Sequence, residues 1–194
     1  MMKKLLLAAM LAAGLSACVP VLVAGGVAVG AWIGSDPRKS DTQAEDFQMA
    51  ARVANKVFDT YKEKAHVNVN VFAGHMLLTG EVPDEAARAL VLQAARNEAG
   101  LKKLYDELVI ASPSGVTDRA NDTQLTTRVK AAVLNQAGDA NAIHILVTTE
   151  RKTVYLMGIT TPDLANRAAT AAAGISGVTQ VVKLIQYTPA SNPG

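Results

Sequence analysis

The sequence predicts an α+β fold in which one small unit is written twice. Three observations predict it. The chain matches itself at a spacing of 76 residues, from Gln48 onto Gln124. Hydrophobic periodicity switches between the helical and the strand period in the same order in both copies. Glycine, proline and acidic residues punctuate those segments at corresponding places.

The register can be followed residue by residue. Arg52-Val53 falls on Arg128-Val129, Val57 on Val133, and Val67, Val69 and Val71 on Ile143, Ile145 and Val147. Two extra residues in the second copy then bring Gly80 onto Gly158, and one more aligns Pro83-Asp84 with Pro162-Asp163. After a compensating deletion Gly100-Leu101 meets Gly177-Val178, and Leu104 and Leu108 meet Val181 and Ile185.

Each copy reads helix, strand, strand, helix, strand. In the first helix of copy two, Leu125, Val129, Ala132 and Val133 share one side, with Asn121 or Asp122 expected as N-cap. Val67 to Val71 alternates valine with asparagine, so that strand should bury one face and leave His66, Asn68 and Asn70 toward solvent. Ala73-Gly74 is the expected hairpin turn, followed by Met76, Leu78 and Gly80. In copy two the strands should run from Ile143 to Val147 and from Val154 to Met157, joined by a polar turn around Glu150-Arg151-Lys152. Pro83-Asp84-Glu85 and Pro162-Asp163 put acidic residues where a helix dipole favours them. The alanine-rich helices that follow should end at Gly100 and Gly177, before short last strands.

This order of motifs resembles the BON domain: the alternating valines, the glycine closing the second strand (Gly80, Gly158), the alanine helix, and Gly-hydrophobic before the last strand. The resemblance implies a three-stranded mixed sheet covered on one face by two helices, in each of two tandem domains. The expected division is a signal at 1–17, a tether and linker at 18–46, domains at 47–112 and 113–188, and a tail at 189–194.

The amino terminus points to the envelope. Lys3 and Lys4 precede the apolar run Leu5 to Leu15, and Leu15-Ser16-Ala17-Cys18 resembles the lipobox of bacterial lipoproteins. Cys18, the single cysteine, is thus expected to carry covalent lipid, the sole prosthetic group expected. Two or more acyl chains anchor stably where one does not. Residues 19–34 are apolar and glycine-spaced, and residues 35–46 are polar. An uncut signal would instead leave Leu5 to Gly34 long enough to cross a bilayer. Val19 in place of Asp resembles an outer-membrane address, on the periplasmic face. Lipobox and tandem domains together resemble dual-BON outer-membrane lipoproteins. That resemblance implies a role in envelope integrity, with the second domain engaging anionic phospholipid through its first helix.

Charge narrows the function. Removing the signal takes away two lysines, so the formal charge falls from +2 to zero, and nucleic-acid binding loses its electrostatic footprint. No metal-ligand spacing joins His66, His75 and His144, and neither a nucleophile elbow nor a phosphate-cradling loop is present. The chain is therefore expected to be no enzyme and to take no small-molecule substrate. Residues 41–111 carry 8 basic and 11 acidic side chains, whereas residues 112–187 carry 7 and 5. Copy two is the one suited to anionic lipid. On its first helix the side away from Leu125, Val129 and Val133 carries Gln124, Thr127, Arg128, Ala131 and Leu134, with Lys130 at the margin. These six are the candidate phospholipid contacts, though Leu134 could equally pack on a neighbouring element. Where the family carries a large aromatic, this chain has Gln124. The alternative function is a protein–protein adaptor for an envelope assembly or division-site complex, working through sheet edges or the acidic first copy.

Overall fold

The computed structural model describes residues 38–188. The expected signal, the expected lipidation site Cys18, most of the expected tether and the tail lie outside them. Helix α1 (Ser40–Tyr61) leads through a short 3-10 turn to β1 (His66–Phe72) and β2 (His75–Val82), then α2 (Glu85–Arg96) and β3 (Lys103–Ile110). The second copy follows as α3 (Val116–Gln136), a 3-10 turn at Ala140–His144, β4 (Leu146–Glu150), β5 (Thr153–Thr160), α4 (Pro162–Ala173) and β6 (Gln180–Tyr187). Each copy forms one mixed sheet: β1 and β4 pair antiparallel with the central β2 and β5, which pair parallel with β3 and β6. The expected α+β architecture is what the chain adopts.

Helices form where one apolar stripe can be buried. Met49, Val53 and Val57 on α1, and Leu125, Val129 and Val133 on α3, are buried at four-residue spacing. The α1 residues, with Ala87, Val91 and Ala95 of α2, cover Val71, Met76, Leu78 and Leu108 of the first sheet. In copy two α3 and α4 cover Val147, Val154 and Leu156. Asp84 caps α2 by accepting from the Ala87 N–H, and Thr161 caps α4 by accepting from the Leu164 N–H, with Pro162 in its first turn.

Several local expectations are corrected. α1 starts at Ser40 rather than in the first domain's expected start at 47, because the polar stretch before it contains good helix formers and Asp46 is anchored in the fold. Neither Asn121 nor Asp122 is the N-cap of α3, which begins at Val116. Asp122 lies mid-helix and buried, and its carboxylate accepts the N–H groups of Arg151 (2.7 Å) and Lys152 (3.0 Å) in the β4–β5 turn. Asp46 does the same in copy one, accepting from Ala73 (2.6 Å) and Gly74 (2.8 Å). Both turns have left-handed backbone, at Ala73-Gly74 and at Arg151-Lys152. Those turns are 78 residues apart, so the two additional residues of copy two fall before β4, at its 3-10 turn, and not after it. The first strand of that pair is therefore Leu146–Glu150, shifted from the expected Ile143 to Val147. Gly100 and Gly177 stand beyond the ends of α2 and α4, in left-handed turns ahead of the last strands.

The largest departure concerns the faces the helices leave bare. Phe72, Ala73 and Leu77 of the first sheet pack on Tyr155, Met157 and Leu184 of the second. Residues 38–188 thus form four layers, helix, sheet, sheet, helix. Large side chains buried this way contribute about 1.5–3 kcal/mol each. β2 and β5 are consequently enclosed on both sides, with Met76, Leu77 and Leu78, and Leu156 and Met157, all at most 1% exposed.

Candidate membrane-contact site

The six residues singled out on α3 share its outer side. Gln124, Thr127, Arg128, Lys130, Ala131 and Leu134 are all exposed, while Leu125, Val129 and Val133 between them are 3% exposed or less. Leu134 is 46% exposed, so it does not pack beneath a neighbouring element. A 3.6-residue period carries Gln124, Thr127, Arg128, Ala131 and Leu134 down one side of the helix, with two cations set around an aliphatic tip.

Pairing distinguishes these cations from their counterparts in copy one. Arg52 on α1 is held by Glu98, through Nε at 2.8 Å and Nη2 at 2.7 Å. Arg128, at the same place on α3, donates instead to the Ser176 carbonyl at 3.1 Å. No carboxylate among the described residues pairs with Arg128 or Lys130. At this exposed surface neither cation is met by a described carboxylate, and the described hydrogen bond of Arg128 is to a neutral carbonyl. Sequence spacing put Arg128 on the outer side of α3, where the structure also has it, and Ile175 stands in copy two where copy one has Glu98.

A second polar constellation lies between the copies. His66, Asn68 and Asn70 do not face solvent: their side of β1 is turned to the second sheet, and His66 and Asn68 are half-buried there. The Asn68 side-chain nitrogen lies 2.6 Å from Glu150 Oε2, and His66 Nε2 lies 3.8 Å from the same oxygen. Arg119 reaches His66 Nδ1 at 3.3 Å. Glu81, directly across from His66 in the β1–β2 register and fully buried, accepts from Arg151 Nη1 (3.2 Å) and from the Ser114 N–H and hydroxyl (each 3.3 Å). The correction has a plain reason: alternation tells that two faces differ, not what covers the polar one.

Burial dominates the titration of this cluster. It pushes the Glu150 carboxyl up to about 7, with the negative charges of Glu81 and Asp122 adding to it and the Asn68 hydrogen bond opposing it. His66 is held below the ordinary imidazole value by burial first and by Arg119 second. His66, Glu81 and Glu150 bring ligand-type atoms within 4.8 Å of one another, a convergence that their sequence spacing concealed. Arg151 and Arg119 already set cationic charge beside them. A polar cavity of 320 Å³ opens onto the same group, lined by His66, Asn68, Arg119, Asp122, Thr126 and Glu150 among others.

Among the described residues no helix is long and apolar enough to cross a membrane. The BON domain profile matches residues 45–112 and 121–189. The chain is 33% identical over 175 residues to "Outer membrane lipoprotein DolP" of Haemophilus influenzae, covering 89% of this chain and 90% of that one. It is 32% identical over 154 residues to the "21 kDa hemolysin" of Actinobacillus pleuropneumoniae, covering 78% and 79%. Among solved structures, CdsD, a structural protein of the type III secretion system of Chlamydia trachomatis, overlaps at a TM-score of 0.30 with 17% identity, over 72% of this chain and 63% of that one.

Proposed function

This chain belongs to the BON-domain family as a tandem, DolP-type member, and on that premise we propose that it is a non-enzymatic, lipid-anchored protein of the outer membrane. It sits on the periplasmic face, held by acyl chains on Cys18, and its second domain binds anionic phospholipid and so supports envelope integrity. The observation that carries the lipid contact is that, among the described residues, no carboxylate pairs with Arg128 or Lys130 on the exposed side of α3, beside Leu134. Each cation near an anionic surface contributes about 1 kcal/mol. Gln124 cannot insert among acyl chains as an aromatic would, so attraction here is mainly electrostatic and weakens as salt rises.

Co-sedimentation of residues 38–194 with vesicles tests the contact. Binding should require phosphatidylglycerol, fall roughly tenfold or more in Arg128→Glu/Lys130→Glu, and weaken between 50 mM and 300 mM salt. Equal binding to neutral vesicles, or an unaffected charge-reversal variant, would remove the claim. The adaptor reading would gain if crosslinking in cells captured one abundant envelope protein irrespective of that variant.

A further inference from the structure

Two of the three phenylalanines are on the outside, and both belong to α1. Phe47 is 71% exposed and Phe58 60%. Eleven residues separate them, three helical turns to within about 20°, so both rings stand on one side of the helix about 16 Å apart. Ala51 and Ala54 fill the side between them. The helix turns a different side to its core, that of Asp46, Met49, Val53 and Val57. Exposed aromatic area of this kind, in a row, is not ordinary surface scatter.

The stripe continues past the helix. Phe58 and Val116, the latter 76% exposed at the start of α3, line one cavity of 560 Å³ together with Val57, Lys62 and Arg119. The Lys62 ammonium stands 4.9 Å from the centre of the Phe58 ring and is also bonded to Asp59 at 3.2 Å. Phenylalanine rings with lysine and arginine at their margin are the composition of a helix lying in a membrane interface, its apolar side at the acyl boundary and its cations reaching outward.

Chain length selects the occupant. The apolar run ends at Gly34, and five residues, 35–39, separate it from Ser40. Fully extended, five residues reach about 17 Å. Phe47 is a further seven residues along α1, about 10 Å of helix. A chain anchored at Cys18 with its apolar run against the bilayer therefore keeps Ser40 within about 17 Å of that bilayer, close enough for α1 to reach it.

The geometry points to the Phe47–Phe58 side of α1, with Val116, as a second membrane contact that inserts aromatic rings into the interface regardless of headgroup charge. This contact rests on the anchor in the proposed function but not on the α3 contact. It differs from α3 in kind, being apolar where α3 is cationic.

The test uses the full lipidated chain in vesicles, spin-labelled at Ala51→Cys or Ala54→Cys, which leaves both rings in place. Acylation occupies the Cys18 thiol, so a chain without an introduced cysteine should take no label; labelling there would overturn the anchor instead. The expected result is a raised oxygen-to-nickel-chelate collision ratio at 51 and 54, relative to a label at Gln93, with and without phosphatidylglycerol. Phe47→Ser/Phe58→Ser should return that ratio to the Gln93 level. A label at Gln124 should respond only with phosphatidylglycerol, so failure on α3 and failure on α1 are read separately. Water-level ratios at 51 and 54 in the parent chain, or dipolar broadening between labels showing that a second copy covers the stripe, would overturn the proposal.

Discussion

The two copies share every element and differ in where they place backbone strain, rings and charge. In the first, the left-handed hairpin turn ends on Gly74, the outer side of the first helix carries Phe47 and Phe58, and Arg52 is paired with Glu98. In the second, the equivalent turn is Arg151-Lys152, the outer side of the first helix ends in Leu134, and no carboxylate among the described residues pairs with Arg128. The interior is duplicated far more faithfully than the exterior. Burial fixes the apolar stripe and the buried aspartate in both copies, whereas exposed positions are free to diverge into one apolar and one cationic surface.

The glycine that closes the second strand offers the widest contrast. Gly80 has φ +108°, and a Cβ there would overlap the His66 carbonyl oxygen on the paired strand. Gly158, its counterpart, lacks the positive φ, and a Cβ would stand 3.2 Å from the His144 carbonyl. Gly80→Ala should cost about 3 kcal/mol or more, and Gly158→Ala about 1 kcal/mol, in urea unfolding. Similar losses at both sites would mean that the two hairpins are equally strained.

Next in size is the pH dependence of the contact between copies. The Glu150 carboxyl is raised from 4.5 to about 7, so the folded state favours its neutral form. Its contribution is full below about pH 4.5 and is lost as pH rises through 7, by about 3 kcal/mol in all. His66 runs the other way: with its folded value lowered, the associated stability is present above about 6.5 and lost on acidification. Glu150→Gln, which imitates the neutral acid, should be more stable than the parent at pH 8 and close to it at pH 5. If urea midpoints of parent and variant keep a constant gap across that range, Glu150 is not the group responsible.

The smallest effect sharpens the same comparison. Lys152 has φ 63° where copy one has glycine, and left-handed backbone costs a residue with a Cβ about 1–2 kcal/mol. Lys152→Gly should therefore raise stability by about 0.5–1 kcal/mol once the added freedom of the unfolded chain is deducted, measurable as a small rise in Tm.

Much of this was legible in the chain. The order of elements, the Ala73-Gly74 turn, the pairing of His66 with Glu81 and the exposed side of α3 follow from periodicity and turn chemistry. Asp46 and Asp122 were visible as an aligned pair, but an aspartate near the start of a helix looks the same whether it caps that helix or a hairpin elsewhere. The meeting of the sheets had a signal too. Met76-Leu77-Leu78 and Val154 to Met157 are apolar at consecutive positions, as strands covered on both sides are. The asparagines of β1 argued for solvent because polarity alone does not separate water from a polar partner such as Glu150. The alignment of Gly100 with Gly177 puts Ile175 where copy one has Glu98, but only the fold shows that this position reaches the first helix, where Glu98 holds Arg52.

The burial of Phe72, Leu77, Tyr155 and Met157 between the sheets sets a limit on dissecting the gene. A fragment ending near residue 112, or beginning near 113, would bring into water a greasy flank that the parent chain hides in itself. Such halves should stick to each other or to their own kind, so a binding signal from either half in isolation would report newly opened surface before it reported biology.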